Sequence, residues 1–494
     1  MLTLTKKAGL RQRGILNDFL ALSLLIVGLF LFAIPVSQVF ALEINDRNLT
    51  WAVIDDLISD EAVASHLIDV RTVKGVITLT GSVDNLLAKE RAAELAERIK
   101  GVRSVVNRIT VMPPPVTDQE ISSNIQRALL TDPATEDYEV EVTVNNGEVT
   151  LHGTVDSWAE EQLCEEIAKS IRGVRAINNE IEVELKAKRP DSEIAAEIER
   201  RLDWDVWVED AYIEVEVKDG EVTLTGRVGS AGEKTRAYGD ALVAGVVSVD
   251  NSGLKVDWAL HDTMRKSGEY TYKKDIEIQK AVHDAFMYDP RVSSFHPVVE
   301  VKEGVVTLSG TVDNLKAKKA AEEDAKNTTG VWRVKNYLRV RPVSGPSDAE
   351  IAMNVENALL ADPYVDRYEI GVSVDNGKVY LTGTVDSPFD RLRAEEVASG
   401  LEGVVEVANN MRLEAAWGWK TDWEIKEDIE DQLWWSPFVD SDQITVTVED
   451  GVATLTGTAN SWQERGAAAD NAYDGGAKEV RNHLRVKYGP SYYR

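Results

Sequence analysis

Residues 147–157 read Gly-Glu-Val-Thr-Leu-His-Gly-Thr-Val-Asp-Ser, and the chain writes this phrase six times. It recurs as GVITLTGSVDN from Gly75, GEVTLTGRVGS from Gly220, GVVTLSGTVDN from Gly304, GKVYLTGTVDS from Gly377 and GVATLTGTANS from Gly451. Apolar and polar residues alternate, as in a strand with one buried face. The closing glycines are Gly81, Gly153, Gly226, Gly310, Gly383 and Gly457, at intervals of 72, 73, 84, 73 and 74 residues. Such a period is too long for a solenoid repeat and suits a small domain.

Residues 347–414 show what surrounds the phrase. Ser347 and Glu350 have capping-box spacing, and Ile351, Val355 and Leu359 make one apolar helical face. Asp362-Pro363 stops that helix. Tyr368, Ile370, Val372 and Val374 alternate as a strand, Asn376-Gly377 is a hairpin turn, and Val379 and Leu381 lie on the return strand, which Gly383 ends. Ser387-Pro388 opens a second helix with proline at its first position. Gly403 closes it as a left-handed cap, and a third strand runs to Leu413. The order is αββαβ. The fold class expected is therefore α+β: six tandem sandwich domains, each with two helices on a three-stranded mixed sheet, strung as an elongated array.

The units span 46–112, 117–186, 190–257, 273–341, 347–414 and 421–487, with a longer linker at 258–272. Pro113-Pro114-Pro115, Arg189-Pro190, Pro342 to Pro346 and Trp417-Gly418-Trp419 form the shorter linkers; the proline-rich ones are expected to be stiff. Their charges are −1, −11, −9, +3, −9 and −8, so a near-neutral unit followed by two acidic ones occurs twice. Units 1 and 4 share VDNLLAK and VDNLKAK, units 2 and 5 share ALLTDP and ALLADP, and units 3 and 6 carry Trp204/Trp207 and Trp434/Trp435 after the first helix. The corresponding closing glycines are offset by 229, 230 and 231 residues. A three-unit block has been duplicated.

The net charge of −29 over 494 residues argues against nucleic acid as a partner, because phosphate neutralisation needs clustered Lys and Arg. A single cysteine, Cys164, rules out an intrachain disulfide and a cysteine metal cluster. Lys6, Lys7, Arg11 and Arg13 precede an apolar run from Phe19 to Ile34, and Val39-Phe40-Ala41 offers small residues for a cut. Residues 1–41 thus read as a signal peptide cleaved after Ala41, or as a retained anchor. Either way the protein is expected in the periplasm, tethered to the inner membrane if the segment stays.

The αββαβ order, the VTLxGxVD phrase and the later GVxxVxN phrase, with Asn at 107, 179, 251, 336, 409 and 482, resemble the BON domain of bacterial osmotically inducible periplasmic and nodulation proteins. Unit 6 departs most, with Ala453, Ala459 and Asn460, and unit 3 has Gly229 in place of the usual Asp. The resemblance implies a non-catalytic envelope module linked to osmotic and envelope stress and to phospholipid binding, in some members through a face of the first helix.

Candidate chemistry is sparse. His152 has Thr80, Thr225, Ser309, Thr382 and Thr456 at its equivalent positions, so it reads as a residue on the wet strand face. Cys164 reads as a small semi-buried helix residue. Clusters such as Glu160/Glu161/Glu165/Glu166 lack calcium-loop spacing and read as a solvated helix face. No motif calls for a cofactor or a metal. Two features rise above this background. Lys316, Lys318, Lys319 and Lys326 make the second helix of unit 4 basic, fit for anionic headgroups or simply solvated. Trp204, Trp207, Trp434 and Trp435 suit a membrane interface, a partner, or burial in the core or in contacts between units. An anionic phospholipid or an envelope protein is the expected partner; a periplasmic scaffold or chaperone-like stress protein without lipid binding is the alternative.

Overall fold

The computed structural model describes residues 44–63, 65–135, 140–184, 189–258, 273–342, 345–366, 368–414 and 420–487. The segment 1–41 expected to be a signal peptide or anchor, most of the 258–272 linker and Trp417-Gly418-Trp419 lie outside the described residues.

All six units are αββαβ. In unit 1, Asp46–Ser59 is the first helix and Ile68–Val73 pairs antiparallel with Val76–Val83. The second helix, Leu86–Glu97, then carries the chain to Ser104–Val111, parallel to the central strand. Every first helix has 14 residues: Asp46–Ser59, Asp118–Thr131, Asp191–Trp204, Asp275–Tyr288, Asp348–Ala361 and Asp422–Trp435. The apolar triplets expected on them are all buried, from Leu49/Val53/Leu57 to Ile425/Ile429/Leu433. They pack on the inner face of the sheet, on Ile77 and Leu79 in unit 1. Asn85, Ser157, Ser230, Asn314, Ser387 and Ser461 each cap a second helix by accepting a first-turn N–H, which satisfies a donor the helix itself cannot pair.

Two details correct the expected strand ends. In units 1, 2, 3 and 6 the central strand runs through its glycine instead of stopping there; only in units 4 and 5 does it break, at Gly310 and Gly383. The residue must be glycine because φ at Gly81 is +119°, and a Cβ there would sit 2.0 Å from the Leu67 carbonyl oxygen. In unit 5 the third strand is likewise split, into Glu406–Asn409 and Arg412–Leu413.

Two recurrent ties hold each unit together. The first-turn aspartate of the first helix (Asp46, Asp118, Asp191, Asp275, Asp348, Asp422) accepts both N–H groups of the hairpin turn, 28 and 29 residues away. Both turn residues have positive φ, even Lys74 and Glu303, a conformation those side chains disfavour. At the other end, the recurrent asparagine reaches back to the second helix: Asn107 Nδ2 donates to the Lys89 carbonyl while its Oδ1 accepts from Ile109.

Candidate functional site: the joints between units

The first helix ends on carbonyls that have no partner within the helix. Four of these are satisfied by another unit. The residue just before a cap glycine donates its N–H to the last carbonyl of a first helix elsewhere: Lys100 to Trp435 (2.8 Å), Arg172 to Ala361 (2.7 Å), Glu402 to Thr131 (2.9 Å) and Thr329 to Trp204 (2.9 Å). Unit 1 thereby meets unit 6, unit 2 meets unit 5 in both directions, and unit 4 meets unit 3. Side chains follow. Trp435 and Ala361 are both buried in the cluster formed by the cores of units 1 and 2, and Trp204 packs against the core of unit 4.

The tryptophans are therefore joint residues. Trp204 and Trp435 are the last residues of their helices rather than following them. Lys273 lies over the Trp204 ring and Lys100 over Trp434, at 4.8 and 5.3 Å. Trp434 stands edge-on to Trp435, and Trp207 edge-on to Phe438 with centroids 4.8 Å apart. The unit 4 lysines are also engaged. Lys316 pairs with Asp132 of unit 2, Lys319 donates to Ser399 Oγ of unit 5 at 2.9 Å, and Lys326 pairs with Glu322 at 2.7 Å. Lys318 is half-buried.

Asp132 explains what Lys316 does. In units 1, 3 and 5 the aspartate that follows the first helix is held by an arginine 31 residues on: Asp60 by Arg91, Asp205 by Arg236 and Asp362 by Arg393. Unit 2 has Leu163 where that arginine would stand, and unit 4 supplies the cation instead. The recurring aspartate–arginine pair escaped the sequence reading because its partners lie 31 residues apart, one just past the first helix and one on the second.

The 1:6 and 3:4 joints, with the second helix of unit 2, wall a cleft of about 1160 Å³. Asp205, Arg236 and Asp240 of unit 3 line it, as do Asp289, Arg291 and Asp324 of unit 4. Burial, with Asp205 beside it, raises the Asp240 carboxyl, and burial with Asp289 beside it raises Asp324. One oxygen of each has no hydrogen-bond partner among the described residues. Across the cleft, burial pushes Asp474 up to about 6 against the pull of Arg91. The arrangement can retain protons and join units. Among the described residues no group of three or more His, Cys, Asp or Glu could hold a metal ion.

His152 lies in register between Glu141 and Glu180, with Nδ1 3.1 Å from Glu180 Oε2, on the exposed sheet face. Cys164 is fully buried rather than semi-buried, and burial pushes its thiol up to about 12. Glu161 and Glu165 are not merely solvated: both accept from Asn179, and burial with Glu165 nearby pushes Glu161 up to about 7.

The six units match a known family. Residues 45–113, 117–184, 190–257, 274–342, 347–415 and 421–488 each match the BON domain. The chain belongs to the BON domain family. Among relatives, it is 31% identical over 169 residues to osmotically-inducible protein Y of Escherichia coli (strain K12), covering 33% of this chain and 81% of that protein. It is 27% identical over 141 residues to the outer membrane lipoprotein DolP of Haemophilus influenzae, covering 27% and 72%. It is 32% identical over 108 residues to the 21 kDa hemolysin of Actinobacillus pleuropneumoniae, covering 21% and 55%. No helix among the described residues of this BON chain is long and apolar enough to cross a membrane.

Proposed function

We propose that the protein is a non-catalytic component of the bacterial envelope, acting in the periplasm in envelope integrity or osmotic stress, and that the outer faces of its first helices engage phospholipid. The family and two of its relatives, an osmotically inducible protein and an outer membrane lipoprotein, support the setting. What all six units share is structural, which favours binding over catalysis.

The observation that carries the lipid reading is on helix surfaces. Trp51 and Ile58 are exposed seven residues apart on the first helix of unit 1, as are Met353 and Leu360 in unit 5; Leu130 and Met287 stand at the position of Ile58 in units 2 and 4. Seven residues is nearly two turns, so each pair shares one face. Large apolar residues repeated on outward helix faces suit insertion at the headgroup boundary. With Lys316 and Lys319 committed to joints, the basic helix of unit 4 becomes a secondary contact.

Flotation of residues 42–494 with phosphatidylethanolamine/phosphatidylglycerol vesicles tests this. Binding is expected to survive salt, because it rests on apolar burial more than on charge, and to fall in Trp51→Asp/Ile58→Asp. No flotation, or flotation indifferent to that variant, counts against it. The scaffold reading is favoured instead by the joints themselves, and capture of envelope proteins without vesicle binding would select it.

A further inference from the structure

We infer that the chain is a covalently fused twofold dimer: residues 45–257 and 274–488 are two like modules, and the surface each presents fits a second three-unit module of its own kind.

The joints carry the mark of a symmetry axis. Lys100 in unit 1 and Thr329 in unit 4 are equivalent, 229 residues apart, and their acceptors Trp435 and Trp204 are equivalent, 231 apart. The 1:6 and 4:3 joints are thus one contact made twice. In the 2:5 joint, Arg172 donates to Ala361 and Glu402 donates to Thr131; donors and acceptors are each 230 apart, so the joint is reciprocal with itself. Trp207 and Phe438 are equivalents too, and they touch each other. A residue in contact with its own equivalent, and a joint in which i meets j while j meets i, are properties of an isologous interface. A duplication stacked by translation would instead repeat 1:4, 2:5 and 3:6 in one direction.

Contacts within each half repeat as well. Lys169 meets Glu90 at 3.0 Å between units 2 and 1, and Lys319 meets Ser399 at 2.9 Å between units 4 and 5. These are the same two positions with the lysine exchanged between them. Where the two halves differ, sequence accounts for it. Val206 donates to the Asn327 carbonyl in the 3:4 joint, whereas its equivalent is Pro437, which has no N–H to give. The cleft draws its walls from both halves, so it is incomplete without the second.

The test uses the full chain with a specific protease site placed in residues 259–272, cleaved after purification. Size exclusion with light scattering is expected to show one species at the intact mass. Two species at half mass would overturn the inference. In the same cleavable chain, Arg172→Asp removes the 2.6 Å pair with Asp366; half-to-half affinity is expected to fall roughly tenfold, and Asp366→Arg in the Arg172→Asp chain is expected to restore it. Unchanged affinity in the Arg172→Asp chain would overturn the placing of units 2 and 5 across the axis.

Discussion

The 3:4 and 1:6 joints are built on one backbone contact and furnished with different side chains. In 3:4, Asp205, Arg236 and Asp240 face Asp289, Arg291 and Asp324. In 1:6 the equivalents of the first three are Ser436, Ala467 and Asn471, and those of the last three are Asp60, Ala62 and Leu95. The 1:6 joint relies instead on buried Trp435, on Gln432, which donates to Asp56 at 2.6 Å, and on an Arg91–Asp474 ion pair at 3.9 Å. Backbone hydrogen bonds to helix-end carbonyls are indifferent to side-chain identity, so they persisted after duplication. Both joints combine a tryptophan with charged groups, Trp204 in 3:4 and Trp435 in 1:6, but the positions that carry the charge differ.

The contrast is broken most strongly at the tryptophans. Trp435→Ala is expected to cost about 3 kcal/mol, within the range for truncating a buried large side chain, because the cavity opens into the core of unit 1. Trp204→Ala, whose ring is only partly buried, is expected to cost less. Urea denaturation of the intact chain checks both; equal losses would mean the joints are furnished alike.

Proton binding sharpens the comparison next. Asp474 has its carboxyl raised to about 6 in the folded chain, against about 3.9 for a free aspartate. The folded state therefore holds the proton more tightly, so its stability contribution is full below about pH 4 and is lost as pH rises toward 6. Asp474→Asn is expected to flatten this slope and to add on the order of 1 kcal/mol at pH 7. Asp240 and Asp324 are raised in the same direction, so a double Asp240→Asn/Asp324→Asn chain is expected to stabilise the 3:4 joint above its acid range. Thermal melts from pH 4 to pH 8 read both; a slope of opposite sign sinks the assignment.

The smallest effect is expected at the 2:5 joint. Arg172→Ala removes an ion pair but leaves the backbone N–H bond to Ala361, so a loss of only about 0.5 kcal/mol is expected. A loss of several kcal/mol would show that the side chain, and not the helix-end carbonyl, holds this joint.

What could be read from the sequence was local. The apolar triplets, the hairpin turns and the caps of the second helices fall within a few residues, where helix and strand periodicity act, and all six copies agree. The latch from Asp46 to Lys74 and Gly75 spans 28 and 29 residues. It is visible only as an aspartate that recurs at the same distance before each turn. Contacts between units were one reading of the tryptophans, but which units meet was not legible. Lys316 looked like a solvated or headgroup-binding residue because nothing nearby in sequence pairs with it; its partner Asp132 lies 184 residues away on another copy of the same unit. The repetition that revealed the fold concealed which copy each residue serves.

The central claim is that the two halves face each other across a twofold axis, and Trp207 with Phe438 marks that axis. In a Cys164→Ser chain carrying Trp207→Cys and Phe438→Cys, a short bismaleimide should join the two positions within one molecule. After cleavage in the 259–272 segment, a denaturing gel should then show the full mass in a single band. Two half-mass bands, or links that form only between molecules, would contradict the account.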